Sequence, residues 1–141
     1  MNEETHPAVE ANKKSIQYAM EGNKEGWLSL YTDDAVVQDP VGVSLMDPTG
    51  AGHIGKAAIE QFWDSTIGPS NVDIQVQKRW ISGDRCCCVH QVARNELGEG
   101  KSTLVDMLCV YQVDEQGLIT RMSAHWDFDD IMAQLAEQGL A

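Results

Sequence analysis

The stretch from residue 72 to 127 limits the fold most, because it alternates apolar and polar side chains through four segments parted by turn residues. Val72, Ile74 and Val76 recur at a spacing of two, the period of a strand with one buried face. Residues 86–94 and 102–113 flank the turn-rich stretch ELGEGK and read as a long hairpin. Asp114-Glu115-Gln116-Gly117 supplies a second hairpin turn, leading into 118–127. Strands joined by such short turns pair antiparallel, and the apolar face they share has to be covered by something else.

The cover is expected from the first half. Pro7 suits a first helical turn and Gly22 a stop, so the pattern predicts a helix over 7–21, with Val9, Ile16, Ala19 and Met20 on one broad face. A second helix fits 24–31, capped by Asn23 and carrying Trp27, Leu28, Leu30 and Tyr31. Ala35 to Asp39 reads as a short strand halted by Pro40, and VGVSLMDPTGAGHI over 41–54 as a long loop. Helix returns at 55–67, where Ala58, Ile59, Phe62 and Trp63 keep helical spacing, and again at 128–138 with Ile131, Met132 and Leu135 on one side. Helices followed by a run of strands make an α+β fold, a curved antiparallel (mixed) sheet wrapped over N-terminal helices around an apolar pocket. No repeat or linker divides the chain, so one domain is expected over 1–141.

Charge narrows the partners. The chain carries a formal net charge of −12, which disfavours nucleic acid and an anionic membrane surface and leaves a small neutral molecule in an apolar pocket as the compatible ligand. No apolar run approaches the ~20 residues of a membrane span. The opening MNEETHPAVEANKK is polar and acidic rather than basic and then apolar, so cytoplasm is the expected compartment. Cys86, Cys87 and Cys88 are consecutive and Cys109 stands apart, an arrangement that reads as small buried hydrophobes rather than disulfides or a redox pair. His6, His53, His90 and His125 are scattered without metal-ligand spacing, and no phosphate-binding glycine motif is present, so neither metal nor cofactor is expected.

Three stretches resemble the nuclear transport factor 2-like superfamily, in particular its ketosteroid isomerase and SnoaL-like members. Leu30 to Pro40 (LYTDDAVVQDP) is similar to the "YxDDAxxxDP" segment of ketosteroid isomerases, and Gly55 to Trp63 (GKAAIEQFW) to the family's "GxxxIxxF-aromatic" helix. The third stretch is Val113 to Ile119 followed by Met122-Ser123-Ala124-His125-Trp126. The resemblance implies a cone-shaped sheet and a general base at Asp39, able to take a proton from a carbon next to a carbonyl. The resemblance also implies an oxyanion hole that pairs a tyrosine with a protonated aspartic acid, as ketosteroid isomerases have. Those positions fall here on Ser15 and Cys109, which are shorter or weaker donors.

By the same resemblance the pocket is lined by Val105, Met107 and Cys109 of one strand and by Met122, Ala124 and Trp126 of the next, with Trp63 helping to close it. Asp106 and His125 then point outward. Ser15, Tyr18, Tyr31 and Phe62 complete the expected set, with Tyr18 a substitute phenol one helical turn after Ser15. His90 joins as an acid/base partner of Asp39 if its strand register turns it inward. His53 and Asp47 lie in the long loop, which could lid the pocket. The expected activity is cofactor-independent isomerase- or lyase-type proton transfer on a neutral cyclic molecule such as a steroid, terpenoid or polyketide. The alternative is a non-catalytic binder of small apolar ligands, or a dimerisation domain. A homodimer through the outer sheet face is the expected assembly. Hydration of an epoxide is a third reading, for which no Arg stands on a pocket face; Arg94 and Arg121 are poor candidates.

Overall fold

The computed structural model describes residues 2–140, so the two end residues of the expected domain lie outside it. Helix α1 spans Pro7–Glu21. His6 caps it by accepting the Ala8 amide on Nδ1 (3.1 Å), which leaves the proton on Nε2 to be donated to the Gly83 carbonyl (2.9 Å). One buried imidazole thereby ties the start of α1 to the turn between two strands. Gly22 ends the helix in the left-handed conformation, φ 69°.

Helix α2 is shorter than expected, Lys24–Leu28, and Tyr31 does not belong to it but opens strand β1, Tyr31–Gln38. The reason is tertiary: the Leu30 carbonyl accepts the Ile119 amide at 2.7 Å, which draws the chain into the sheet. The 41–54 stretch is mostly turns but ends in a two-residue strand, β2 (His53–Ile54), paired with β1. Helix α3 is Lys56–Phe62, and a wider π-helical turn over Trp63–Ile67 finishes it. Strands β3 (Val72–Ser82), β4 (Cys86–Gly98), β5 (Lys101–Val113) and β6 (Ile119–His125) follow, and α4 (Phe128–Glu137) closes the chain.

The six strands form one curved mixed sheet in the order β2-β1-β6-β5-β4-β3, left open between its two ends. All neighbours are antiparallel except β1 and β6, which run parallel. That pairing brings the N-terminal half's strand beside the last strand of the chain. Alternation sends Cys87, Val89, Cys109, Tyr111 and Met122 inward, where they pack with Trp27, Ile59 and Phe62 under α1 to α3. Cys86 and Cys88 face outward while Cys87 is fully buried, and all four thiols are free.

Candidate functional site

The inner face of β4 and β5 is longer than the helices that cover it, and the uncovered part encloses a cavity of about 380 Å³. Ser15, Ile16 and Ala19 of α1 form one wall, and Val105, Met107 and Cys109 of β5 the facing one. Phe128, Ile131, Met132 and Leu135 of α4 roof it; their spacing puts them on one helical face.

Two side chains hold α4 in that position. β6 pairs only with residues 108–113 of β5, so residues 102–104 present open backbone on that side. Gln134 accepts the Leu104 amide (2.8 Å) and donates to the Leu104 carbonyl (2.8 Å). Gln138 does the same at Ser102, at 3.0 and 2.7 Å. The two carboxamides thus stand in for a missing strand, satisfying an edge that would otherwise be bare.

Asp39 follows the end of β1 and lines the cavity. The parallel pairing of β1 with β6 sets Gln38 beside Ser123, and Val41 donates its amide to the Ala124 carbonyl at 2.9 Å. Asp39 is thereby carried next to Trp126, whose indole Nε1–H donates to its Oδ1 at 2.6 Å. Desolvation by burial pushes the carboxyl up from 3.8 to about 6, and the indole hydrogen bond opposes that rise. A base of this kind is ionised at neutral pH yet more basic than an exposed aspartate. Burial, and then the charge of Asp39, push the Cys109 thiol well above its ordinary range, so it remains a neutral thiol.

At the inner end Ser15 accepts two hydrogen bonds, from Trp27 Nε1 (3.2 Å) and from the Tyr111 hydroxyl (3.3 Å). Asn12 donates to Gln91 (3.4 Å) and accepts from Arg79 Nε (3.0 Å), joining α1 to the sheet by a buried polar chain.

The structure therefore brings Asp39, Ser15, Val105, Met107, Cys109, Met122 and Trp126 together around one space. It sets the other expected pocket residues elsewhere. Tyr31, Phe62 and Trp63 surround Trp27 in the core behind the wall, with ring centroids 4.8, 6.5 and 5.2 Å from it. Ala124 is fully buried in that core, and Tyr18 packs against its side. The β4–β5 register pairs His90 with Leu108, which turns His90 to the outer face, where it meets Asp106 at 2.5 Å. That same register, which the hairpin alone did not reveal, is why His90 is no neighbour of Asp39. His53 stacks on Phe62 at 4.8 Å, Asp47 is buried against the Gly52 amide, and His125 is exposed.

Tyr111, Gln91, Asn95 and Thr103 also line the cavity and were not singled out by sequence reasoning. Tyr111 and Thr103 share the alternating face of Val105 to Cys109, so extending that face by two positions each way finds them. The apolar face of α4 was visible, but its target was not. Among the described residues no three His, Cys, Asp or Glu side chains gather as a metal-ligating group.

Known proteins agree with this architecture. Residues 14–122 match the SnoaL-like domain family. The chain is similar to the Delta 5-3-ketosteroid isomerase from Mycobacterium sp., 33% identical over 89% of this chain and 96% of that one, with a TM-score of 0.83. It is similar also to RV0760c from Mycobacterium tuberculosis in complex with estradiol-17beta-hemisuccinate (31%, 89% and 97%, TM-score 0.83). A computationally designed 17-OHP binder is 30% identical over 89% and 95%, again with a TM-score of 0.83. No curated protein resembles the chain closely enough to match. With the family match covering most of the chain, and the open mixed sheet and its cavity in place, the protein belongs to the SnoaL-like, ketosteroid isomerase-related family of the nuclear transport factor 2-like superfamily.

Proposed function

We propose that this protein catalyses cofactor-independent proton transfer, of isomerase or lyase type, on a neutral cyclic molecule such as a steroid, terpenoid or polyketide, with Asp39 as general base. The observation that carries this reading is the Asp39 carboxyl in the wall of an apolar cavity, its pKa raised to about 6 and its orientation held by Trp126. Such a carboxylate takes a proton from a carbon next to a carbonyl and returns it to another carbon of the same framework. Ser15 and Cys109 are left to donate to the carbonyl oxygen. Each replaces a stronger family donor, and one lost oxyanion donor costs on the order of 3 kcal/mol in the transition state. Turnover is accordingly slower than a tyrosine–aspartic acid pair allows.

The test is proton exchange or isomerisation on a panel of cyclic enones, comparing wild type with Asp39→Asn. Equal turnover in the two removes the general-base role. The weak donors at Ser15 and Cys109, with the likeness to a designed 17-OHP binder, favour a second reading, a non-catalytic binder of small apolar ligands. Tight binding without chemical change, unaltered in Asp39→Asn, distinguishes it. We also propose that the outer sheet face pairs two copies, since Trp80, Leu104 and Leu108 stand exposed there. Sedimentation of Leu108→Glu as a monomer beside a wild-type dimer supports that pairing, and a monomeric wild type overturns it.

A further inference from the structure

We propose that Asn95 and Thr103 form a second polar subsite, at the end of the cavity remote from Asp39, which binds a hydroxyl on the far end of an elongate ligand. The two residues are directly opposite one another across β4 and β5, and both line the cavity. Side chains so placed lie within about 5 Å of each other at Cβ. Their neighbours on the same face, Ala93 and Val105, are apolar, so the pair interrupts a greasy wall.

Asn95 Oδ1 is buried and has no hydrogen-bond partner, and Thr103 is only 4% exposed. A buried polar atom left unmatched is costly and rare in native proteins, whereas an apolar pair here would cost nothing. The backbone on either side of Thr103 is already satisfied by Gln138 at Ser102 and Gln134 at Leu104. Asn95, the residue that carries the unmatched oxygen, lines the ligand space. The last torsion of an asparagine is broad and soft, so its carboxamide can turn to meet a donor in the cavity.

The spacing sets the shape of the ligand. Cys109, close enough to Asp39 for its thiol to respond to that charge, is six residues from Thr103, about 20 Å of extended strand before curvature shortens it. Val105 and Met107 lie between. The matching molecule is polar at both ends and apolar in the middle: an elongate alicyclic hydroxy-ketone. Its carbonyl end rests on the proton-transfer reading above; its hydroxyl end does not.

The experiment measures equilibrium binding by tryptophan fluorescence of a fused-ring enone with a remote hydroxyl and of its deoxy counterpart. Wild type and Asp39→Asn should both favour the hydroxylated ligand by about tenfold. That preference should vanish in Asn95→Leu and in the shape-conserving Thr103→Val. Equal binding of the two ligands by wild type, or a preference that survives both substitutions, overturns the subsite. Unchanged turnover in Asp39→Asn would instead overturn the base and leave the preference standing.

Discussion

Asp39 should make the folded protein less stable at neutral pH, and removing its charge should reveal by how much. Its carboxyl titrates near 6 in the fold against 3.8 for an unperturbed aspartate. The folded chain therefore holds this proton more tightly than the unfolded one, and ionisation opposes folding. The penalty is fully present above about pH 6, shrinks as pH falls through 6, and is gone below about 4, where both states are protonated. Two pKa units at 1.36 kcal/mol each give roughly 2–3 kcal/mol. Asparagine is neutral throughout and can still accept the Trp126 hydrogen bond. Asp39→Asn should thus gain about that much stability at pH 8, a rise in Tm of roughly 6–12 °C, and only about a third of it at pH 4.5. Urea denaturation at pH 4.5, 6 and 8 measures the difference directly. A stability difference independent of pH, or a variant less stable at pH 8, refutes the argument that burial strains this carboxylate. In wild type, kcat/KM should rise with pH through about 6 and then level, because the base must be ionised.

Trp126→Phe removes the indole hydrogen bond that favours the charged form, so the midpoint of that pH profile should move upward; an unmoved or lowered midpoint would contradict the role of the contact. Changing Gln134 and Gln138 together to Ala should free the Ser102 and Leu104 amides, each lost hydrogen bond being worth about 1 kcal/mol, and should speed ligand release several-fold. Hydrogen exchange at those two amides reports the first effect and stopped-flow dissociation the second. Ile59→Ala empties a fully buried position behind the cavity and should cost about 2–5 kcal/mol in urea denaturation, with little change in the slope.

Local signals carried much of the architecture. The four long strands lie where alternation and the ELGEGK and DEQG turns mark them, and α1 runs between Pro7 and Gly22 as its end signals require. Period and punctuation are properties of neighbouring residues, so they survive without knowledge of the rest of the molecule. Tyr31 shows where this stops: its helical neighbours suggest helix, but the hydrogen bond from the Ile119 amide to the carbonyl of Leu30, just before it, draws it into a strand. The apolar face of Val105, Met107 and Cys109 was legible for the same reason as the strands. Which way His90 turned was not, because a register set by pairing with β5 decides it and one residue of slip reverses it.

Sequence by itself determined the order of the helices and of every strand but the two-residue β2, the faces that had to be buried, and an aspartate at the end of β1. Only the tertiary structure decided that β1 runs parallel to β6, bringing Trp126 onto that aspartate, that Tyr31, Phe62 and Trp63 pack behind the cavity wall rather than in it, and that two glutamines of α4 seal the roof. The division has a physical cause. Periodicity is a short-range consequence of backbone geometry, whereas a site is built from contacts between residues far apart in the chain, such as Asp39 with Trp126 at a separation of 87 and Ser15 with Tyr111 at 96.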